Sequence, residues 1–420
     1  MNVRTNKDTV VVGGGIIGLT CALALARRGA AVTVFEPDAR RSAPSWGNAG
    51  HVAIEQVMPL ASPAMIRSAP RRLFALGGAL ALPPGQWRAW LPFARDLLHA
   101  SSPARFARGA AALGPLLAEA MPAWRRLAAS LPGPPLLREE GHFIVWESKR
   151  RAEHGRRAWA VAETGTARWR EAEAAERGRL SALSSAIAGA IRFENTGQIA
   201  SLPRLADVLE AALGAAGGRI VRANAALQAA DGGVAIAIDG GPAWVPERLI
   251  LAAGVRSAAL LAPLGLRAPI IAERGYHIRA RDHDWPAGLP PVAFEDRSMI
   301  VTCFESYAQA SSFVELAHPD APPDPRKWDR LESHVAALGL PLRGPFERWM
   351  GPRPTLPDYL PAIGRARDAA NLFYAFGHQH LGLTLSAITA EGVAALAGGD
   401  EPPIPLAPFA LERFSKDRLP

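Results

Sequence analysis

The chain has 420 residues, 49% of them hydrophobic and 20% charged, with a formal net charge of +8, so a globular protein of about two domains is expected. Its arginines are scattered, with no basic block interleaved with aromatics, which argues against a nucleic-acid binder. The two cysteines, Cys21 and Cys303, lie in apolar stretches with neither a CxxC nor a metal-ligand spacing, so no disulfide framework and no metal site is expected.

The residues ahead of "DTVVVGGG" carry no apolar run, and a cleavable signal peptide is not expected. Thr9 to Val12 form a β-branched run suited to a buried parallel strand. Gly13, Gly15 and Gly18 then spell G-x-G-x-x-G. A proline-free helix follows, opening with Ile16 and Ile17 and stopping at Gly29. A second strand over 31–35 ends in Glu36 and Pro37. This spacing is a dinucleotide fingerprint. Gly13 allows the tight turn, Gly15 lets a pyrophosphate approach the backbone, and Gly18 lets helix and strand pack closely. The helix N-terminus supplies free N–H groups and a positive dipole end, and Glu36 is placed to accept from the adenosine ribose. The fingerprint alone fits either FAD or NAD.

After Glu36, Arg40 and Arg41 are placed to reach phosphate. Ser45, Asn48, Ala49 and Gly50 form a small, backbone-exposing run with room for a flat ring, and His51 follows. Much of 60–180 reads as helices broken by "LPPGQW" and "LPGPPLL", covering a pocket. A basic, aromatic surface there (Arg67, Arg71, Arg72, Trp87, Arg88, Trp90) is alternatively a membrane face. The longest nearly apolar stretch, 73–84, is too short and too rich in Gly and Pro to cross a bilayer.

A helix–glycine–strand unit at 204–227 and the strand ending at Ala253 and Gly254 return the chain to the nucleotide domain. Segments 272–282, 291–306 and 311–317 read as an antiparallel sheet roofing the substrate site. Arg353 lies in "MGPRPTLPDYLPAIG", which the prolines make stiff and extended. Taken alone it reads as a solvated surface arginine. Near the end, a strand over 371–376 meets Gly377, a tight loop carries His378 and Leu381, and a helix opens at Gly382, Leu383 and Thr384. That helix N-terminus is suited to the N1–C2=O edge of an isoalloxazine, which an NAD enzyme does not need; FAD is therefore expected.

The fingerprint, "GNAGH", "RLILAAGVRS", "GPRPTLPDYLPAIG" and "GHQHLGLT" together resemble the D-amino acid oxidase superfamily of FAD-dependent amine oxidoreductases, with the closest likeness to bacterial D-amino acid dehydrogenases. Gln379 and His380 depart from the small residues usual after Gly-His. The resemblance implies an α/β fold in which a Rossmann-like FAD-binding domain (1–58, 182–268 and 346–420) interleaves with an α+β substrate domain built on an antiparallel sheet (59–181 and 269–345).

It also implies that Arg353 clamps the substrate carboxylate while hydride passes from the α-carbon to flavin N5. The resulting imino acid is hydrolysed to a 2-oxo acid and ammonia. Tyr276, and less so Tyr359, are candidates to donate to the carboxylate or close the pocket. His51, His378 and His380 are candidate proton acceptors or, equally, packing residues. Expected partners are an amino or imino acid and an acceptor: a quinone, a carrier protein or oxygen. Glycine, sarcosine or a cyclic imino acid such as D-proline are alternative substrates, and a FAD-binding subunit of a larger dehydrogenase is an alternative role. The expected location is cytoplasmic, with peripheral contact at the inner membrane face as an option.

Overall fold

The computed structural model describes residues 5–415. A six-stranded sheet runs in the order Arg219–Val221, Val32–Phe35, Thr5–Val12, Val245–Leu251, Leu372–Phe376 and Ala362–Arg365. The first five strands are parallel and the last is antiparallel. Apolar runs such as "TVVV" suit this position because both faces are covered. Val11 packs into the cluster built on the helices Ile16–Arg27 and Gly382–Gly398. Val10 and Val12 pack against the hairpin Ala225–Ala230/Gly233–Ile238 on the other face.

The helix Gly382–Gly398 is apolar all round because it is buried all round, as a core helix must be. Thr20 Oγ1 donates to Ser386 O at 3.2 Å, and Trp124 Nε1 donates to Leu383 O at 2.9 Å. The segment Gln379–Gly398, not 73–84, is therefore the chain's long apolar helical stretch, and most of it is interior. Its length and apolar character follow from packing.

The second sheet has nine strands. Its main path runs Glu347–Thr355, Ile271–Ala280, Ala308–Ala317, Met299–Cys303, Val292–Phe294, His142–Trp146, Gly189–Phe193 and Trp169–Glu171, with Leu80–Ala81 pairing alongside Ala308–Ala317. Two expected boundaries differ. Gly189–Phe193 and Glu347–Thr355 were assigned to the nucleotide domain, but both are strands of this roof sheet. The prolines of 347–355 had suggested an extended loop. They are accommodated because this strand is the sheet's edge, where a missing N–H leaves no partner unpaired. The helical reading of 60–180 also missed His142–Trp146, which pairs with Val292–Phe294 across the chain. A small three-stranded sheet, His51–Val52, Gly197–Ile199 and Leu137–Arg138, lies beside the cavity that both large sheets line.

Candidate active site

One cavity of about 1380 Å³ runs from the first glycine turn to the roof sheet. At the turn, Gly13 has φ +109°, and a Cβ there would overlap the Ala252 carbonyl; a Cβ on Gly18 would overlap the Gly13 carbonyl oxygen. Only glycine fits either position. Gly15 caps the helix Ile16–Arg27 without any side-chain cap, and Ile16 N donates to Ser45 Oγ at 3.0 Å. An uncapped helix start on a glycine-bare turn fits a pyrophosphate, and the cavity has the length and volume for FAD.

Glu36 lines the same end, but its carboxylate already has work. Oε2 accepts from Gly14 N at 2.6 Å and Oε1 from Asp38 N at 2.8 Å. Gly13, Gly15, Ile16, Ile17, Glu36, Pro37, Ser45, Asn48, Ala49, Ala253 and Gly254 all line the cavity. Gly18 and Gly50 lie behind its wall. Arg40 and Arg41 do not reach it. Arg41 is instead taken by Asp207 at 2.7 Å and Glu210 at 3.0 Å, two carboxylates one turn apart on the helix Leu202–Ala215.

Farther along, the helix Gly382–Gly398 also begins without a side-chain cap, and Gly382 and Leu383 line the cavity. Gly377, Leu381 and Thr384 sit behind it. Thr384 Oγ1 accepts from Ala53 N at 3.0 Å, tying this helix start to the segment after "GNAGH". The three histidines expected here are not near-neutral bases. Burial pushes His51 down to about 4, His378 to about 3 and His380 to about 4. His378 Nε2 is bonded to Thr389 Oγ1 at 3.0 Å, and His380 Nε2 to Gln56 Oε1 at 2.7 Å. At neutral pH all three are uncharged, and His378 and His380 serve as hydrogen-bonding groups.

Under the roof sheet, Arg353 stands opposite Glu273 in register. Its Nη1 donates to Glu273 Oε1 at 3.1 Å and to Phe313 O at 3.4 Å. Glu273 is 1% exposed and also accepts from Tyr359 Oη at 3.1 Å and Thr355 Oγ1 at 3.4 Å. The guanidinium lies across Gly275, where a Cβ would overlap it. Among the described residues its Nε and Nη2 have no protein partner, and Arg353 lines the cavity. Beside it His277 stacks on Trp349, centroids 4.7 Å apart, with Nδ1 3.0 Å from Gly47 O.

Tyr276 is among the residues along the cavity, but alternation along its strand turns its hydroxyl away from Arg353. Its hydroxyl donates to Glu315 Oε1 at 2.9 Å, and its ring meets Trp328. Glu273 and the Phe313 carbonyl hold the arginine, and Tyr359 holds Glu273. The signal for Glu273 was its place two residues before Gly275 in "AERGYH", which gains meaning only once the pairing to Arg353 is known.

A second group escaped the sequence. His51, Glu55 and His142 line one wall, with the His51 and His142 rings 4.3 Å apart and His142 Nε2 3.9 Å from Glu55 Oε1. Burial raises the Glu55 carboxyl to about 7 and lowers His142, which His51 lowers further. His142 is too far along the chain for any spacing to link it to "HVAIE".

Comparison with known proteins finds relatives over nearly the whole chain. The chain is 31% identical to a D-amino-acid oxidase of Bradyrhizobium diazoefficiens over 97% of its own length and 99% of the relative's. It is 28% identical to a D-amino acid dehydrogenase of Cereibacter sphaeroides over 97% and 95%. Among solved structures, glycine oxidase from Geobacillus kaustophilus superposes with a TM-score of 0.72 at 22% identity, covering 97% of this chain and 98% of that one. L-proline dehydrogenase from P. horikoshii gives 0.73 at 14% identity, with both chains covered completely, a likeness of fold. Residues 8–396 match the DAO family, FAD dependent oxidoreductase, and the chain belongs to that family of FAD-binding enzymes.

Proposed function

We propose that the enzyme oxidises the Cα–N bond of a free amino acid, D-amino acids foremost, with its carboxylate on Arg353. One observation carries this: a guanidinium half-held by a buried acid, its other edge open to the cavity. A bidentate pair fixes both position and orientation, and the stiff edge strand limits the entropy lost on binding. Glu273 holds the arginine and is itself held by Tyr359 and Thr355, while Gly275 gives the guanidinium room to lie flat. Gly15 and Ile16 at one helix start and Gly382 and Leu383 at the other would hold FAD, which would supply the acceptor for the α-hydrogen and its electron pair. The imino acid formed is hydrolysed by water to a 2-oxo acid and ammonia. Glycine, sarcosine or a cyclic imino acid is the second reading, supported by the fold shared with glycine oxidase.

Electrons pass onward to a quinone or another carrier. Peripheral contact with the inner membrane face of a cytoplasmic enzyme is supported by exposed Leu76, Trp87, Leu91 and Leu98, flanked by exposed Arg71 and Arg88. Co-sedimentation with anionic vesicles, reduced by Trp87→Ser with Leu91→Ser, is the expected result; no sedimentation ends the membrane reading. The central test is anaerobic bleaching of the purified yellow protein by D- and L-amino acids, glycine, sarcosine, D-proline and simple amines. D-substrates should bleach fastest and amines least. Bleaching by L-amino acids alone, or equally fast by amines, overturns the proposal.

A further inference from the structure

His51, Glu55 and His142 offer a donor set that the amine oxidation above does not use. His51 ends up on the short strand His51–Val52, Glu55 in the turn just after it, and His142 at the start of His142–Trp146. Two distant pieces of chain, 51–55 and 142–146, thus meet on one buried wall of the cavity. Their donor atoms all lie within 4.8 Å of one another. Glu55 is 4% exposed and His142 2%.

Two features point to a missing cation. His51 Nε2 and Glu55 Oε2 are buried and have no hydrogen-bond partner, a costly arrangement unless something binds them. His142 is oriented as a metal-binding imidazole is: Nδ1 is bonded to Thr196 Oγ1 at 2.8 Å, which turns Nε2 toward Glu55, and in the tautomer with its proton on Nδ1 that nitrogen is free to ligate. Among the described residues no arginine or lysine pairs with Glu55, whose only ion-pair contact is His142.

We propose that His51 Nε2, Glu55 and His142 Nε2 bind one divalent first-row transition ion of the zinc class at the cavity wall. Two imidazoles and a carboxylate suit zinc better than the hard ions magnesium or calcium. Ligands about 2.1 Å from a tetrahedral ion stand about 3.4 Å apart. The separation of 3.9 Å between His142 Nε2 and Glu55 Oε1 closes to that with small side-chain rotations. Three protein ligands leave a coordination position open toward the cavity. The sequence expectation of no metal site rested on cysteine and spacing alone, and this set has neither signature.

The test uses the untagged, FAD-loaded protein, stripped by dialysis against a chelator and titrated with zinc chloride by calorimetry. One zinc per chain should bind with a micromolar or tighter Kd, leaving the flavin spectrum in place. His142→Ala should weaken binding by about a hundredfold, and Glu55→Gln, which keeps the volume, by at least about tenfold. Should His142→Ala fail to retain flavin, Glu55→Gln alone decides. Absence of stoichiometric zinc, or binding undiminished in the variant that folds, overturns the proposal. Neither result depends on turnover, so the site stands or falls apart from the amino-acid reading.

Discussion

Arg274 and Arg353 sit on paired strands of one sheet and face opposite ways. Arg274 is 1% exposed; its Nε lies 3.1 Å from Glu315 Oε1, and its Nη2 donates to Pro322 O at 2.8 Å and to Tyr276 Oη at 3.1 Å. Glu315 is shared with Lys327, also buried, which in turn reaches Asp324 at 2.9 Å. On the cavity face Arg353 has one buried acid, Glu273, and its side chain stays 25% exposed. The first arginine draws its partners from the chain. The second is charged, aimed and only half partnered, which is what an anion-binding group needs. Charge alone identifies neither role; exposure to the cavity separates them, since Arg353 lines it and Arg274 is enclosed by protein.

The comparison breaks or holds on two substitutions. Arg274→Ala has the largest expected effect. Removing one member of a buried ion network strands the others, at a cost of about 3–5 kcal/mol. Urea unfolding should show it as a lower midpoint, with KM nearly unchanged in the folded fraction. Arg353→Ala should do the reverse. Glu273 keeps two hydroxyl donors and lies against a partly exposed arginine, so the loss of stability should be smaller than for Arg274→Ala and the flavin spectrum should hold. Losing a desolvated carboxylate partner costs about 2–5 kcal/mol, so kcat/KM should fall roughly 30-fold to several thousand-fold. Arg353→Lys should recover only part, because a point charge cannot make two parallel bonds. Simple amines should be oxidised no worse by Arg353→Ala than by the wild type. If Arg353→Ala unfolds as readily as Arg274→Ala, or harms amines equally, both arginines are scaffold.

The same contrast explains what the sequence could express. The first glycine turn was legible because its strand, glycines, helix and second strand are contiguous, and the steric reasons for Gly13 and Gly18 are local. The start of the last helix was legible for the same reason. Arg41 was misread because the carboxylates that claim it lie on Leu202–Ala215, far along the chain. The strand His142–Trp146 was missed because its partners Val292–Phe294 and Gly189–Phe193 are remote. Tyr276 stands out in the sequence and Glu273 does not, because period two says that they face opposite sides but not which side meets Arg353. Only the pairing of Glu273 with Arg353 decides that.

Gly275 sharpens the comparison with the smallest effect. It lies between the two faces, next to Arg274 in sequence and beneath the Arg353 guanidinium in space. A methyl group there meets the far end of a flexible side chain and no backbone, so Gly275→Ala should leave the unfolding midpoint near wild type. The guanidinium must shift to clear it. Misplacing a binding group by about 1 Å can cost up to a hundredfold, and a fall in kcat/KM of about tenfold to a hundredfold is expected, with the charge still present. Combining the two variants carries the argument further. If Gly275 acts only through the arginine, the double variant Gly275→Ala/Arg353→Ala should be no worse than Arg353→Ala alone, a complete failure of additivity. Additive losses would mean that Gly275 is held small for the substrate or the flavin itself, and the guanidinium would no longer be the reason for glycine at that position.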